Sequence, residues 1–148
     1  MFYARKNALV AAIVWTLILG GLIASVLGPG IDRFAAPEQR AWRLLTAAII
    51  LPGFLLNAWL GWRQRRGHRL LELDERDDAI ARRAAVATLF VVAVVVYFAA
   101  LLLYETYHDS GAVPAGWLYL LAYGTVAMVS LVHAVATLIL DLRGITDG

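Results

Sequence analysis

Cysteine is absent from this chain. Without a thiol, disulfide exchange, iron–sulfur ligation and Cys-ligated zinc are excluded. Prenyl and palmitoyl anchors are excluded for the same reason. Lysine is nearly absent: Lys6 stands against twelve arginines, a bias that suggests a GC-rich, bacterial genome. The most informative absence is of charge. No Asp, Glu, Lys or Arg occurs in residues 8–28, 44–62, 84–104 or 115–140.

Those gaps are filled with apolar residues. Of 148 residues, 61% are hydrophobic, against about 45–50% in ordinary soluble domains. An apolar run of about 18 or more residues is a candidate membrane span. Four such runs fall at about 8–28, 42–62, 84–106 and 115–140, and a chain this short has no interior to hide four of them. The expected fold is all-α: an integral membrane four-helix bundle forming one domain. Gly28-Pro29-Gly30 should end the first span, because proline and glycine do not continue a helix. Pro52-Gly53 should kink the second near its middle. The first span follows Arg5 and Lys6 but is longer than the 7–15 apolar residues of a signal peptide, so it reads as a retained helix.

Charge sidedness predicts orientation. Cytoplasmic loops accumulate Lys and Arg. The amino-terminal tail, the 63–83 loop and the carboxyl-terminal tail together hold ten positive residues; the opposite side holds Arg33, Arg40 and Arg43. Both termini are therefore expected in the cytoplasm, with the chain a multi-pass protein of a bacterial inner membrane. Trp59 and Trp62 suit the inner boundary, and Trp42, Tyr104, Tyr107 and Trp117 the outer one. The positives are interleaved with acids and form no phosphate-binding stripe, which argues against nucleic acid. Arg63, Arg65, Arg66 and Arg69, with Arg82 and Arg83, suit lipid headgroups instead.

The segment LELDERDDAIARR, residues 71–83, sets dense charge against the third span. Asp74 can cap a helix, with acids in its first turn. Glu72 with Arg76 and Asp78 with Arg82 are i,i+4 pairs in the favourable acid-first order. A helix from about 75 to 106 would be roughly 48 Å long, against about 30 Å of bilayer core, so its first turns should stand in the cytosol as an arm. Leu70, Leu73, Asp77, Ile80 and Ala84 share one stripe of that helix, which reads either as a docking seam or as a solvated helix start. Asp74, Asp77 and Asp78 lack the glycine turn and alternating ligands of a calcium loop, and no metal is assigned.

The residues Asp74, Glu75, Arg76, Asp77 and Ile80 form a DERD-x-x-I pattern. It resembles a motif preceding an apolar helix in small bacterial four-span integral membrane proteins, families of unknown function. The resemblance covers about ten residues and the general layout, and it implies fold rather than activity. Four-span multidrug exporters need a membrane-embedded Glu in their first helix, which this chain lacks. The Arg-Ala-His-x-Asn pattern of glutathione-transferase-type membrane enzymes is not reproduced by ARRAAVAT, residues 81–88.

One histidine, His133, falls inside a span. His68 and His108 lie in loops on opposite sides, so no bis-His haem forms within one chain, and no cofactor is assigned. Tyr119, Tyr123, Ser130, His133, Thr137 and Asp141 share one face of the fourth helix by 3–4 spacing. His133 should lie roughly 12 Å from the inner boundary, Thr16 about 12 Å, Asn57 about 8 Å and Thr88 about 6 Å. At that shared depth Thr16, Asn57, Thr88, Ser130, His133 and Thr137 are expected to converge, as interhelical hydrogen bonds or as a small-ligand pocket. The leading functional expectation is a non-enzymatic interaction protein, self-associating or serving a membrane or cytosolic partner. The alternative is a small transporter, channel or ligand-binding protein built around His133. A catalytic site is not assigned, because His133 has no second acid or base within a turn.

Overall fold

The computed structural model describes residues 2–67 and 75–143, and side chains at 5–60, 62 and 78–143. The described chain is all-helical. Its elements are α1 (Phe2–Leu27), α2 (Ile31–Ala35), a 3-10 turn (Pro37–Gln39), α3 (Arg40–Ala48), α4 (Ile50–Gly67), α5 (Glu75–Tyr107) and α6 (Ala115–Arg143). Four stretches are long and apolar enough to cross a membrane: Arg5–Leu27, Pro37–Leu60, Asp78–Tyr107 and Ala115–Arg143.

α1 ends where the sequence requires. Gly28 N–H donates to the Ala24 carbonyl at 2.9 Å, and Gly30 takes φ 92°, a left-handed conformation that glycine adopts without steric cost. The buried residues of α1 are Ala8, Ala12, Trp15, Ile18, Leu22 and Val26, one stripe at three- and four-residue spacing. α6 meets α1 along much of its length, and its own buried positions are Gly116, Gly124, Ala127 and Ala134. Small residues on one helix let the backbones approach, so the larger side chains of the other fill the interface. Trp15, Ile18, Ile50 and Ala127 form the central cluster.

The second span is interrupted, at a position one turn before the proline. α3 stops at Ala48, Ile49 N–H bonds back to the Thr46 carbonyl at 3.2 Å, and α4 starts at Ile50. Proline acts on the carbonyl four residues earlier: the Pro52 ring crowds the carbonyl of Ala48 and supplies no N–H to it. The adjacent Gly53 is buried, and a Cβ placed there would lie 2.7 Å from the Trp15 ring and 2.7 Å from Ile18 Cδ1. Glycine at this position is what lets α4 lie against α1.

Residues 31–43 form a compact cap. Phe34 is fully buried, edge-on to Tyr119 with ring centroids 5.0 Å apart, and Tyr119 stacks on Tyr123 at 4.3 Å. Arg43 Nη1 donates to the carbonyls of Phe34 at 2.9 Å and Ala36 at 2.6 Å, while the Tyr119 hydroxyl donates to the Arg43 carbonyl at 2.8 Å. Arg43 thus ties together the end of α2, α3 and α6. At Gly116 a Cβ would lie 2.7 Å from the Ile31 carbonyl oxygen, so α2 rests directly on the start of α6.

α5 and α6 form a hairpin. Gly111, at φ 67°, bonds back to the Tyr107 carbonyl at 3.2 Å and closes α5. α5 buries Ile80, Ala84, Thr88 and Val92, a narrow stripe at four-residue spacing. Val86, Leu89 and Phe90 on its other side are 70–74% exposed. α6 carries the extensive contacts of both α1 and α5, while α4 leans on α1. Among the described residues α4 and α5 make no extensive contact, so the long helices follow each other as α4, α1, α6, α5.

Candidate functional site

The expected polar cluster does not assemble through hydrogen bonds between helices. Thr16 donates to the Ala12 carbonyl at 2.8 Å, Thr88 to Ala84 at 2.7 Å and Thr137 to His133 at 2.8 Å, each within its own helix. Asn57 is the exception: its Oδ1 accepts from Trp15 Nε1 at 3.3 Å. Thr88 is buried, Ser130 and Thr137 are half-buried, and Thr16 and Asn57 are exposed. His133, expected to face the bundle, is exposed instead, and its ring makes no hydrogen bond to another described residue. The physical reason is the helix order. α4 packs on α1 rather than on α6, so Asn57 is drawn to Trp15. Spacing places the α6 polar residues on one face, but α4 does not cover the part of that face that carries His133.

The same face does organise its other end. Tyr119 and Tyr123, sharing it by 3–4 spacing, stack and lie under Phe34 and the residue 31–43 cap. The polar face is therefore divided. One end is packed by aromatic rings, and the other presents His133 outward.

Of the charged arm, Asp74 and Arg69 lie outside the described residues. Glu75, Arg76 and Asp77 belong to the first turn of α5, and Arg63, Arg65 and Arg66 to the last turns of α4. Ile80 is 6% exposed and Ala84 fully buried. The carboxyl-terminal half of the expected docking seam is therefore covered by the chain itself. Asp78, Arg82 and Arg83 are exposed. The expected Asp74 cap and the Glu72–Arg76 pair fall outside the described residues.

Sequence reasoning missed one site altogether. A cavity of about 370 Å³ lies between α1, α5 and α6 toward the α5–α6 hairpin, walled by residues such as Leu19, Ile23, Val96, Ala99, Gly124 and Met128. Its polar end holds Trp117 Nε1, which donates to the Tyr107 hydroxyl at 2.8 Å. The available signal was weak: Ala99 and Gly124 are two among many small residues of α5 and α6, and Tyr107 and Trp117, about two turns away, were read only as boundary markers.

No protein-family model matches the chain, and no curated protein or solved structure matches it significantly.

Proposed function

We propose that this is a non-enzymatic integral membrane interaction protein of a bacterial inner membrane, a regulatory or accessory subunit with both termini in the cytoplasm. It presents the start of its third span to a partner protein or to a second copy of itself. The observation that carries the reading is the length of α5. Its 33 residues extend roughly 50 Å at 1.5 Å per residue, well beyond the bilayer core of about 30 Å. With α5 ending at the outer boundary aromatics, its charged first turns stand clear of the hydrocarbon. Because Ile80 and Ala84 are buried within the chain, the part of the stripe left for a partner is the first turn of α5, around Asp77. The exposed His133 supports self-association as the form this takes: an imidazole inside a span calls for a polar partner, and a second copy supplies one.

The test is a matched pair of charge reversals. By spacing Asp77 shares the face of Ile80 and Ala84, whereas Asp78 is exposed beside it. Asp77→Lys should weaken association about tenfold or more in mild detergent, read by co-purification and cross-linking, since breaking a close interfacial ion pair costs about 1.5 kcal/mol or more. Asp78→Lys should change it little. Equal effects at both positions, or none at either, would show that the charge only marks the membrane edge.

A further inference from the structure

The cavity between α1, α5 and α6 has the size of a small-molecule site. Its 370 Å³ lies within the range of about 300–1,000 Å³ typical of ligand pockets. α1 contributes Leu19 and Ile23, α5 Val96 and Ala99, and α6 Gly124 and Met128. Gly124 is buried, yet a Cβ built on it would meet nothing within 4 Å. The backbone is covered while the space before it stays open, so the hollow reaches the α6 main chain.

Polarity in the lining is unevenly placed. Thr106 and Thr125 spend their hydroxyl protons on the Leu102 and Leu121 carbonyls of their own helices, at 2.7 and 2.6 Å. Trp117 Nε1 donates to the Tyr107 hydroxyl oxygen at 2.8 Å. That bond fixes the phenol and occupies one lone pair, leaving its own O–H to donate. Among the described residues nothing accepts that proton. One oriented donor therefore stands at the hairpin end of a mostly apolar hollow. No Lys, Arg or His lines it, so nothing there would compensate a carboxylate.

We propose that this cavity binds one acyl chain of an ester-linked membrane lipid, with the hydrocarbon along the Gly124 wall and the ester carbonyl accepting the Tyr107 hydroxyl proton. A neutral ester matches the single donor and the absence of cations, which a free fatty acid does not. The aromatic pair lies at the end of both spans, the depth at which Tyr and Trp meet lipid headgroups. The inference rests on the membrane-spanning reading and is independent of any partner at the arm.

The experiment uses the full chain in vesicles of di-ether phosphatidylcholine containing a trace of ester phosphatidylcholine with a photoreactive diazirine on its acyl chain. Vesicle-bound protein is recovered by flotation, irradiated and mapped by mass spectrometry, with unlabelled ester phosphatidylcholine as competitor. Labelling near Ala99 and Gly124 should saturate and be displaced by the ester lipid, whereas labelling at exposed Phe90 should fall only by dilution. Tyr107→Phe should lower the preference for ester over ether lipid several-fold, the ratio that one net hydrogen bond supplies. Gly124→Leu, or Ala99→Leu from the opposite wall, should abolish the saturable part. Gly20→Leu, placed where space is open on α1, should leave it intact. Cavity labelling that tracks Phe90 and ignores these variants would overturn the proposal, as would displacement by a polyprenol but not by ester lipid. Protein that does not float with the vesicles would refute the membrane reading itself; protein that floats without saturable labelling refutes this inference alone.

Discussion

Gly53 governs how closely the two amino-terminal spans approach. Its missing Cβ makes room for a Trp15 ring that is fully buried and cannot move aside. Gly53→Ala should therefore destabilise the protein by about 1–3 kcal/mol, the usual cost of overpacking. Gly20→Ala meets open space and should be neutral or stabilising by up to about 1 kcal/mol, because alanine is the better helix former. Thermal unfolding of both variants in one mild detergent checks the contrast; equal midpoints would contradict it. The Pro52-Gly53 pair was legible in the sequence as an interruption. That Trp15 would lie over Gly53 was not, because the pairing joins residues 38 apart and no local pattern encodes it. His133 shows the same limit. The 3–4 spacing identified its helix face, but which helix would cover that face depended on α4 choosing α1.

At the level of elements, the least legible part was the cap formed by residues 31–43. Periodicity needs a window of about 11–18 residues, and α2 has five. What holds this segment is a set of hydrogen bonds that hydropathy does not register. Arg43 looked like one of three positives on the less basic side; in the structure its guanidinium satisfies the carbonyls of Phe34 and Ala36. Arg43→Met keeps much of the side-chain volume and removes both bonds. Hydrogen bonds to charged groups are worth about 1.5–3 kcal/mol each. Amide exchange at Phe34 and Ala36 should accelerate at least about tenfold, while amides in the middle of α5 keep their protection. Unchanged exchange at Phe34 would mean that the buried ring alone holds the cap. The long helices were far more legible, because α5 and α6 follow uninterrupted apolar runs bounded by Gly111 and Pro114.

For the whole molecule, the order α4, α1, α6, α5 leaves broad apolar faces outward, with Phe90, Leu89, Leu55 and Leu17 each at least 70% exposed. In water such faces would be an aggregation hazard; in a bilayer they are the lipid surface. The count of four helices long and apolar enough to cross a membrane followed from the sequence because hydropathy is additive along a chain. The helix order did not, since it depends on where glycine and alanine permit close approach. The proposed topology has four crossings with both ends on the cytoplasmic side, an orientation drawn from ten positive residues against three. The chain has no cysteine of its own, so single cysteines can report sidedness without background. Gly67→Cys, at the end of α4, and Ser110→Cys, in the α5–α6 hairpin, are the most direct pair. In intact cells a membrane-impermeant maleimide should label position 110 and spare position 67 until the membrane is opened. Labelling of position 67 from outside, or of both positions equally before lysis, would contradict the account.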